Sequence, residues 1–185
     1  TFRWLRVNHT VSSLAGEDTA VQSIAVEANK DILSPLPVGT ALLDGNYEGA
    51  NKEAVHVLVE KAEGYAINVP PKAKEVVGIR IDANARVANR FQFIVGEGAE
   101  LEVQFYVTGS GDALTNVSYL NEYDVKEAGK VVVKKVNLLP EHVQHIEHRY
   151  TKLEEKADVE YINIEIGGSE NILNYYHDLV GQESR

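Results

Sequence analysis

The 185-residue sequence contains no cysteine and no methionine. Without cysteine there is no disulfide, no thiol nucleophile, and no zinc or iron–sulfur site held by thiolates of this chain. A cysteine-free chain fits a reducing compartment. Residues 1–30 hold no continuous apolar stretch of the kind that makes a secretory leader. Both features point to a cytoplasmic protein. Long apolar runs are missing too, so no transmembrane helix is expected. Positive charge is scarce: 18 Lys and Arg stand against 28 Asp and Glu, for a formal charge of −10. That balance speaks against nucleic acid or an anionic membrane as a main partner, since both need basic patches. A sequence without Met that starts at Thr1 and breaks off in a turn at Gly181–Arg185 reads as trimmed at both ends.

Signatures of catalysis are also missing. No GxSxG, phosphate loop or HExxH occurs. The string Gly109-Ser110-Gly111-Asp112 is a short turn between strands and opens no helix, so it cradles no phosphate.

What is present is a repeat. Ile94–Val107, IVGEGAELEVQFYV, reads as strand, tight turn, strand. Glycines supply backbone freedom in the turn Gly96–Ala99. Leu101, Val103 and Phe105 then alternate with Glu102 and Gln104, the period of a strand with one buried face. Similar units occur at Asp82–Val95, Glu127–Val136 and Glu155–Ile166. With Ala99, Ala128 and Ala157 as markers the step is 29 residues each time, and Ser184 would be the next marker. A strand-only repeat of this length predicts a β-solenoid, in which each coil buries its apolar face against the next. An antiparallel sandwich with evenly spaced turns is the competing architecture.

The chain divides at residue 63. Residues 1–63 read as a mixed helix and strand segment. Thr1–Ser13 is an expected edge strand anchored by Phe2 and Trp4. Gly16–Thr19 offers a helix start, with Ala20, Val21, Ile24, Ala25 and Ala28 as its apolar stripe. A strand on Gln22, Ile24 and Val26 competes with that helix. Ser34–Gly39 reads as a linker. Glu53–Lys61 is a short strand or helix at the edge of the repeat, with His56 a buried structural histidine. Residues 64–185 are the regular part. Gly64–Val69 is a strand ended by Pro70 and Pro71, which have no N–H for a ladder. Strands follow at Val76–Ile81, Arg86–Val95, Leu101–Val107, Asn116–Tyr123, Lys130–Leu138, Glu141–Leu153, Val159–Ile166 and Ile172–Leu179.

Pro140–Lys156 is ambiguous, because a proline suits a first helical turn. On a helix His142, His145 and His148 would line one face and could reach a metal. On a strand His145 turns away from the other two. The repeat favours the strand, and the three histidines are only weak metal candidates. Glu141, Glu147 and Arg149 can be cast as an acid/base set on an exposed coil face, as in carbohydrate-active β-helix proteins, but nothing separates them from a solvated face.

From about Gly64 onward the chain resembles the SufB/SufD family, scaffold subunits of the SUF iron–sulfur cluster assembly machinery. The resemblance rests on Tyr65–Lys72 (YAINVPPK), Val77–Ile81 (VGIRI) and Phe93–Leu101 (FIVGEGAEL). It continues in Ala157-Asp158-Val159 running to Ile166-Gly167-Gly168, then Asp178–Gly181 (DLVG). It implies an all-β fold, a right-handed parallel β-helix with a short mixed N-terminal segment. It implies a cytoplasmic, non-catalytic scaffold that works with a SufC-type ATPase and a SufB- or SufD-type partner subunit. It implies no stably bound cofactor, only a transient iron–sulfur cluster within a complex. The family's cluster-linked residues lie beyond the matched positions, and the absence of cysteine leans toward a SufD-like or short archaeal-type member. No cluster ligand is therefore carried onto this chain. His177, in NYYHDLVG, is a further conceivable polar residue near a turn. Open solenoid ends present unpaired strand edges, so a homo- or hetero-dimer is expected. A carbohydrate-active or carbohydrate-binding β-helix protein is the alternative function.

Overall fold

The computed structural model describes residues 24–43, 47, 52–84, 86–110 and 115–185. Its elements are β1 (Ile24–Glu27), β2 (Leu33–Leu36), α1 (Lys52–Lys61), β3 (Gly64–Val69), β4 (Lys74–Asp82), β5 (Val87–Val95), β6 (Glu100–Thr108), β7 (Thr115–Val125), β8 (Lys130–Asn137), β9 (Val143–Leu153), β10 (Asp158–Glu165) and β11 (Glu170–Leu179). The strands form two sheets. One has the order β1-β4-β6-β8-β10 and the other β11-β9-β7-β5-β3-β2. From β3 onward successive strands alternate between the sheets, and every pairing among them is parallel. This is a parallel β-solenoid of about four turns, so the repeat outweighs the sandwich.

The corners show why the repeat was visible. Lys72, Gly98, Ala128, Lys156 and Glu183 all have positive φ, between 55 and 62°. They stack: Lys72 N–H donates to Glu97 O, Gly98 to Glu127, Ala128 to Glu155 and Lys156 to Gln182, each at 2.8–2.9 Å. The residue after each bends inward, where there is room for little more than a methyl group; Ala99 and Ala157 are fully buried. The coil step is therefore not uniform. Glu100 stands beside Lys130 and Lys130 beside Asp158, steps of 30 and then 28 residues. Ala128, a marker in the even 29-residue reading, is the left-handed corner residue; Gly129 is the true counterpart of Ala99 and Ala157.

The first coils have an apolar interior between the sheets. Val77, Ile79, Ile81, Val103, Phe105 and Val107 come from one side, and Ile67, Phe91, Phe93 and Val95 from the other. Aromatic rings pack through this interior: Phe93 stacks on its register neighbour Tyr123 at 4.6 Å, and Phe105 stacks across the two sheets on Tyr119 at 5.8 Å. Offset stacking of this kind adds to burial.

The N-terminal segment departs from expectation at three places. Ile24–Glu27 is a strand, not part of a helix, and it lies antiparallel on β4. The unpaired edge of β4 rewards a strand more than four residues gain from one helical turn. The rest of that expected helix and the expected edge strand at Thr1–Ser13 lie outside the described residues. Leu33–Leu36 is not linker but a strand antiparallel to β3, and an edge position tolerates Pro35. Glu53–Lys61 is helical because Val55, Leu58, Val59 and Ala62 recur at helical spacing and pack on Leu120 and Tyr150 of the six-stranded sheet. His56 is exposed on that helix, not buried, with its ring edge-on to Tyr47 at 5.8 Å.

Candidate functional site

Along the solenoid axis the interior changes character. In the five-stranded sheet, Ile79 and Phe105 are followed in register by Lys135 and Asn163, and Ile81 and Val107 by Asn137 and Glu165. In the six-stranded sheet, Val87 and Val117 give way to His145, Phe91 to Asn121 and Arg149, and Phe93 to Tyr123 and Thr151. Buried charge is costly unless paired and hydrogen-bonded, and here the pairing is dense.

Glu147 of β9 is its hub and is wholly buried. It receives Lys135 Nζ at 2.5 Å from the opposite sheet, Asn121 Nδ2 at 2.8 Å and Arg149 Nε at 2.8 Å, and it contacts Arg149 Nη2 as well. Lys135 Nζ also lies 2.6 Å from Glu165. Two carboxylates thus balance two cations. The Arg149 guanidinium is sandwiched between Tyr161 and Tyr175, 4.2 and 4.3 Å from their ring centres, a cation–π arrangement on both faces. Burial alone would raise the Glu147 carboxyl, but Arg149 and Lys135 outweigh it and hold it down at about 2. Glu147 therefore stays ionised near neutrality and has no proton to donate. It is not on a solvated face, and neither is Arg149, so the exposed acid/base set with Glu141 does not form.

The three candidate metal histidines are separated. His145 points inward and bonds Tyr119 Oη at 3.0 Å, Asn171 Oδ1 at 3.2 Å and Asn137 Nδ2 at 3.3 Å. His148 is buried on the opposite face of β9, with Asn174 Nδ2 3.3 Å from its Nδ1. His142 sits in the turn before β9. Strand alternation puts His145 and His148 on opposite faces of β9, and His142 lies off the strand and does not share the face of His148. Among the described residues no group of three or more His, Cys, Asp or Glu is arranged to hold a metal. Burial, then the Lys135 cation, pushes His145 down to about 4, and burial pushes His148 to about 4. His177 is exposed, its ring 5.4 Å from that of Tyr161 beside the same polar interior.

Lys135, Asn137, Asn121, Tyr119 and Glu165 were not anticipated. Their signal was legible once strand was assumed: Val131, Val133, Lys135 and Asn137 share one face of β8, so the buried stripe turns polar midway.

A second polar group fastens the N-terminal segment to the outer face of the six-stranded sheet. Arg90 donates to three backbone carbonyls, Pro37 at 2.7 Å, Thr40 at 2.6 Å and Ala62 at 3.0 Å. Glu122 accepts from Tyr47 Oη at 2.5 Å, Leu42 N at 3.1 Å and Gln92 Nε2 at 2.9 Å.

The coils that carry the polar interior are also the part of the chain with a known counterpart. The family model described as SUF system FeS cluster assembly, SufBD core domain, matches residues 79–185, more than half of the chain. The chain belongs to the SufBD core family. Neither a curated protein nor a solved structure gives a match. The SufBD core match begins inside β4 and takes in all of the Glu147 cluster. Within this SufBD core no helix among the described residues is long and apolar enough to cross a membrane.

Proposed function

We propose that this SufBD-core protein is a non-catalytic scaffold subunit of iron–sulfur cluster assembly. It would act in the cytoplasm beside a SufC-type ATPase and a SufB- or SufD-type partner, and meet a cluster only transiently within that complex. The observation that carries the reading is the family match over residues 79–185, coincident with the stacked coils. The chemistry of the interior supports it. The buried carboxylate of Glu147 is locked ionised by two cations, an arrangement that orders a framework and does not supply a proton for turnover. These 185 residues contain no cysteine, so they supply no thiolate ligand to a cluster.

Co-expression with SufC-type and SufB-type subunits, purification through a tag on this chain and native mass spectrometry tests the proposal. A stable complex that contains the ATPase is the expected result. A folded, β-rich chain that emerges alone would overturn it.

A further inference from the structure

Between β2 and β3 the chain leaves the six-stranded sheet and re-enters it at one place. Leu36, the last residue of β2, is the register partner of Gly64, the first of β3. The chain between them, residues 37–63, is a flap whose two ends sit side by side. Its described parts are residues 37–43, Tyr47 and 52–63, which include α1. Among these described residues only Glu63 meets a strand backbone, at the hinge itself, where its carbonyl accepts from Arg90 N–H at 3.2 Å. Strap and helix are tied to each other: Gly39, with φ at 79°, turns its N–H onto Val59 O of α1 at 2.7 Å.

The flap is held down in two ways. The apolar stripe of α1 packs on Leu120 and Tyr150. The strap hangs on side chains of the sheet: Arg90 donates to its carbonyls, and Glu122 accepts from Leu42 N–H and Tyr47 Oη. Lifting a cover of this kind ordinarily strands the charges beneath it, at high cost. Here the two charges have each other. Gln92 and Glu122 are register partners, so Arg90, two residues before Gln92 and on the same face, is the diagonal neighbour of Glu122. Diagonal neighbours on adjacent strands stand about 7–8 Å apart, within reach of long side chains. An Arg90–Glu122 ion pair can therefore replace the bonds to the strap. We infer that residues 37–63 form a flap that lifts as one body on hinges at Leu36–Pro37 and Glu63–Gly64, and bares Leu120 and Tyr150 on the outer face of the six-stranded sheet. The coils beneath stay intact, because lifting breaks no strand pairing. Segments held by few ladder bonds open locally at less cost than the whole fold. The flap sets whether this face is open to a second molecule.

The test uses the full chain, whose lack of cysteine lets one introduced thiol report alone. Leu120→Cys places it beneath α1, and Val117→Cys places it on the same strand facing the interior; both parent side chains are fully buried. Labelling by a maleimide in native buffer should be roughly tenfold or more faster for Leu120→Cys. Its rate should rise only weakly with urea, whereas Val117→Cys, which reacts through global unfolding, should accelerate steeply. Adding Tyr47→Phe removes one tether of the closed flap and leaves Arg90 and Glu122 in place. It should speed Leu120→Cys labelling about tenfold, the worth of one hydrogen bond to a charged acceptor, and leave Val117→Cys unchanged. Amide exchange of the parent chain reads the same opening where a cysteine variant fails to fold: residues 37–43 and α1 should share one opening free energy, below that of β5 and β7. Equal labelling rates with equal urea dependence overturn the inference, as does a Tyr47→Phe change that leaves Leu120→Cys labelling as it was. Exchange of α1 only together with β7 overturns it too, and so does separate exchange of strap and helix, since the flap would not then be one body.

Discussion

At the scale of single residues, the buried charges of the last coils make the sharpest claim. Glu147 accepts from Lys135, Asn121 and Arg149, whereas Lys135 has two carboxylate partners and Arg149 has two aromatic faces. Removing the hub strands more groups than removing either spoke. Breaking a buried pair by deleting one partner costs about 3–5 kcal/mol. Glu147→Gln should therefore lose that much stability in urea unfolding, and Lys135→Met less, because Arg149 still neutralises Glu147. If Lys135→Met proves the more damaging, the hub has been misassigned. The same positions show what was legible in the sequence. Alternation places His145 and His148 on opposite faces of β9, while His142, expected on the face of His148, lies in the turn before the strand; Glu147 and Arg149 could not be told from a solvated face. Alternation says that two residues share a face; it does not say which face is inside when both carry polar groups.

The elements add two predictions. Each corner holds one residue in the left-handed region, and glycine fills it only at Gly98 in the stacked series. A β-branched side chain there meets the steric penalty of that region, about 1–2 kcal/mol, so Gly98→Val should lower the unfolding free energy by that order. Ala128→Gly relieves the same penalty and should be neutral or stabilising by about 0.5 kcal/mol. Thermal unfolding of the two variants beside the parent checks the sign of each. The N-terminal segment depends on Arg90, whose planar fork reaches the carbonyls of Pro37, Thr40 and Ala62 together. Lysine cannot span the three. Arg90→Lys should cost about 2 kcal/mol and raise amide exchange in residues 37–43 and α1 while β5–β9 stay protected. Uniform loss of protection would mean instead that this segment and the coils unfold as one unit.

The molecule as a whole should be acid-sensitive. His145 and His148 have folded-state pKa values of about 4, lowered from 6.5. The unfolded chain thus binds protons that the folded one refuses between those values. The stability from neutral burial is fully present above pH 6.5 and is lost as pH falls toward 4, at about 1.4 kcal/mol per pH unit for each proton. Glu147, lowered from 4.5 to about 2, extends the loss below pH 4.5. Urea midpoints at pH 7.5, 5.5 and 4.5 should fall steadily, and His148→Asn should flatten the upper part of the slope. A flat profile from pH 7.5 to 4.5 would show that the two histidines are solvated in solution.

The sequence by itself determined the strands. Period-two alternation with small residues at a near-constant step left stacked coils and a sandwich both open, and all eight expected strands after residue 70 lie within two residues of their true starts. The family likeness was equally local, carried by short strings in single strands and at corners. Tertiary structure decided the rest. The N-terminal strands exist because β3 and β4 offered open edges, which no local pattern announces. The inversion of β10, polar inward and aliphatic outward, was settled by register against β8. A strand with two amphipathic readings takes the one its neighbour imposes, because the backbone ladder and the Lys135–Glu165 pair hold only in that register.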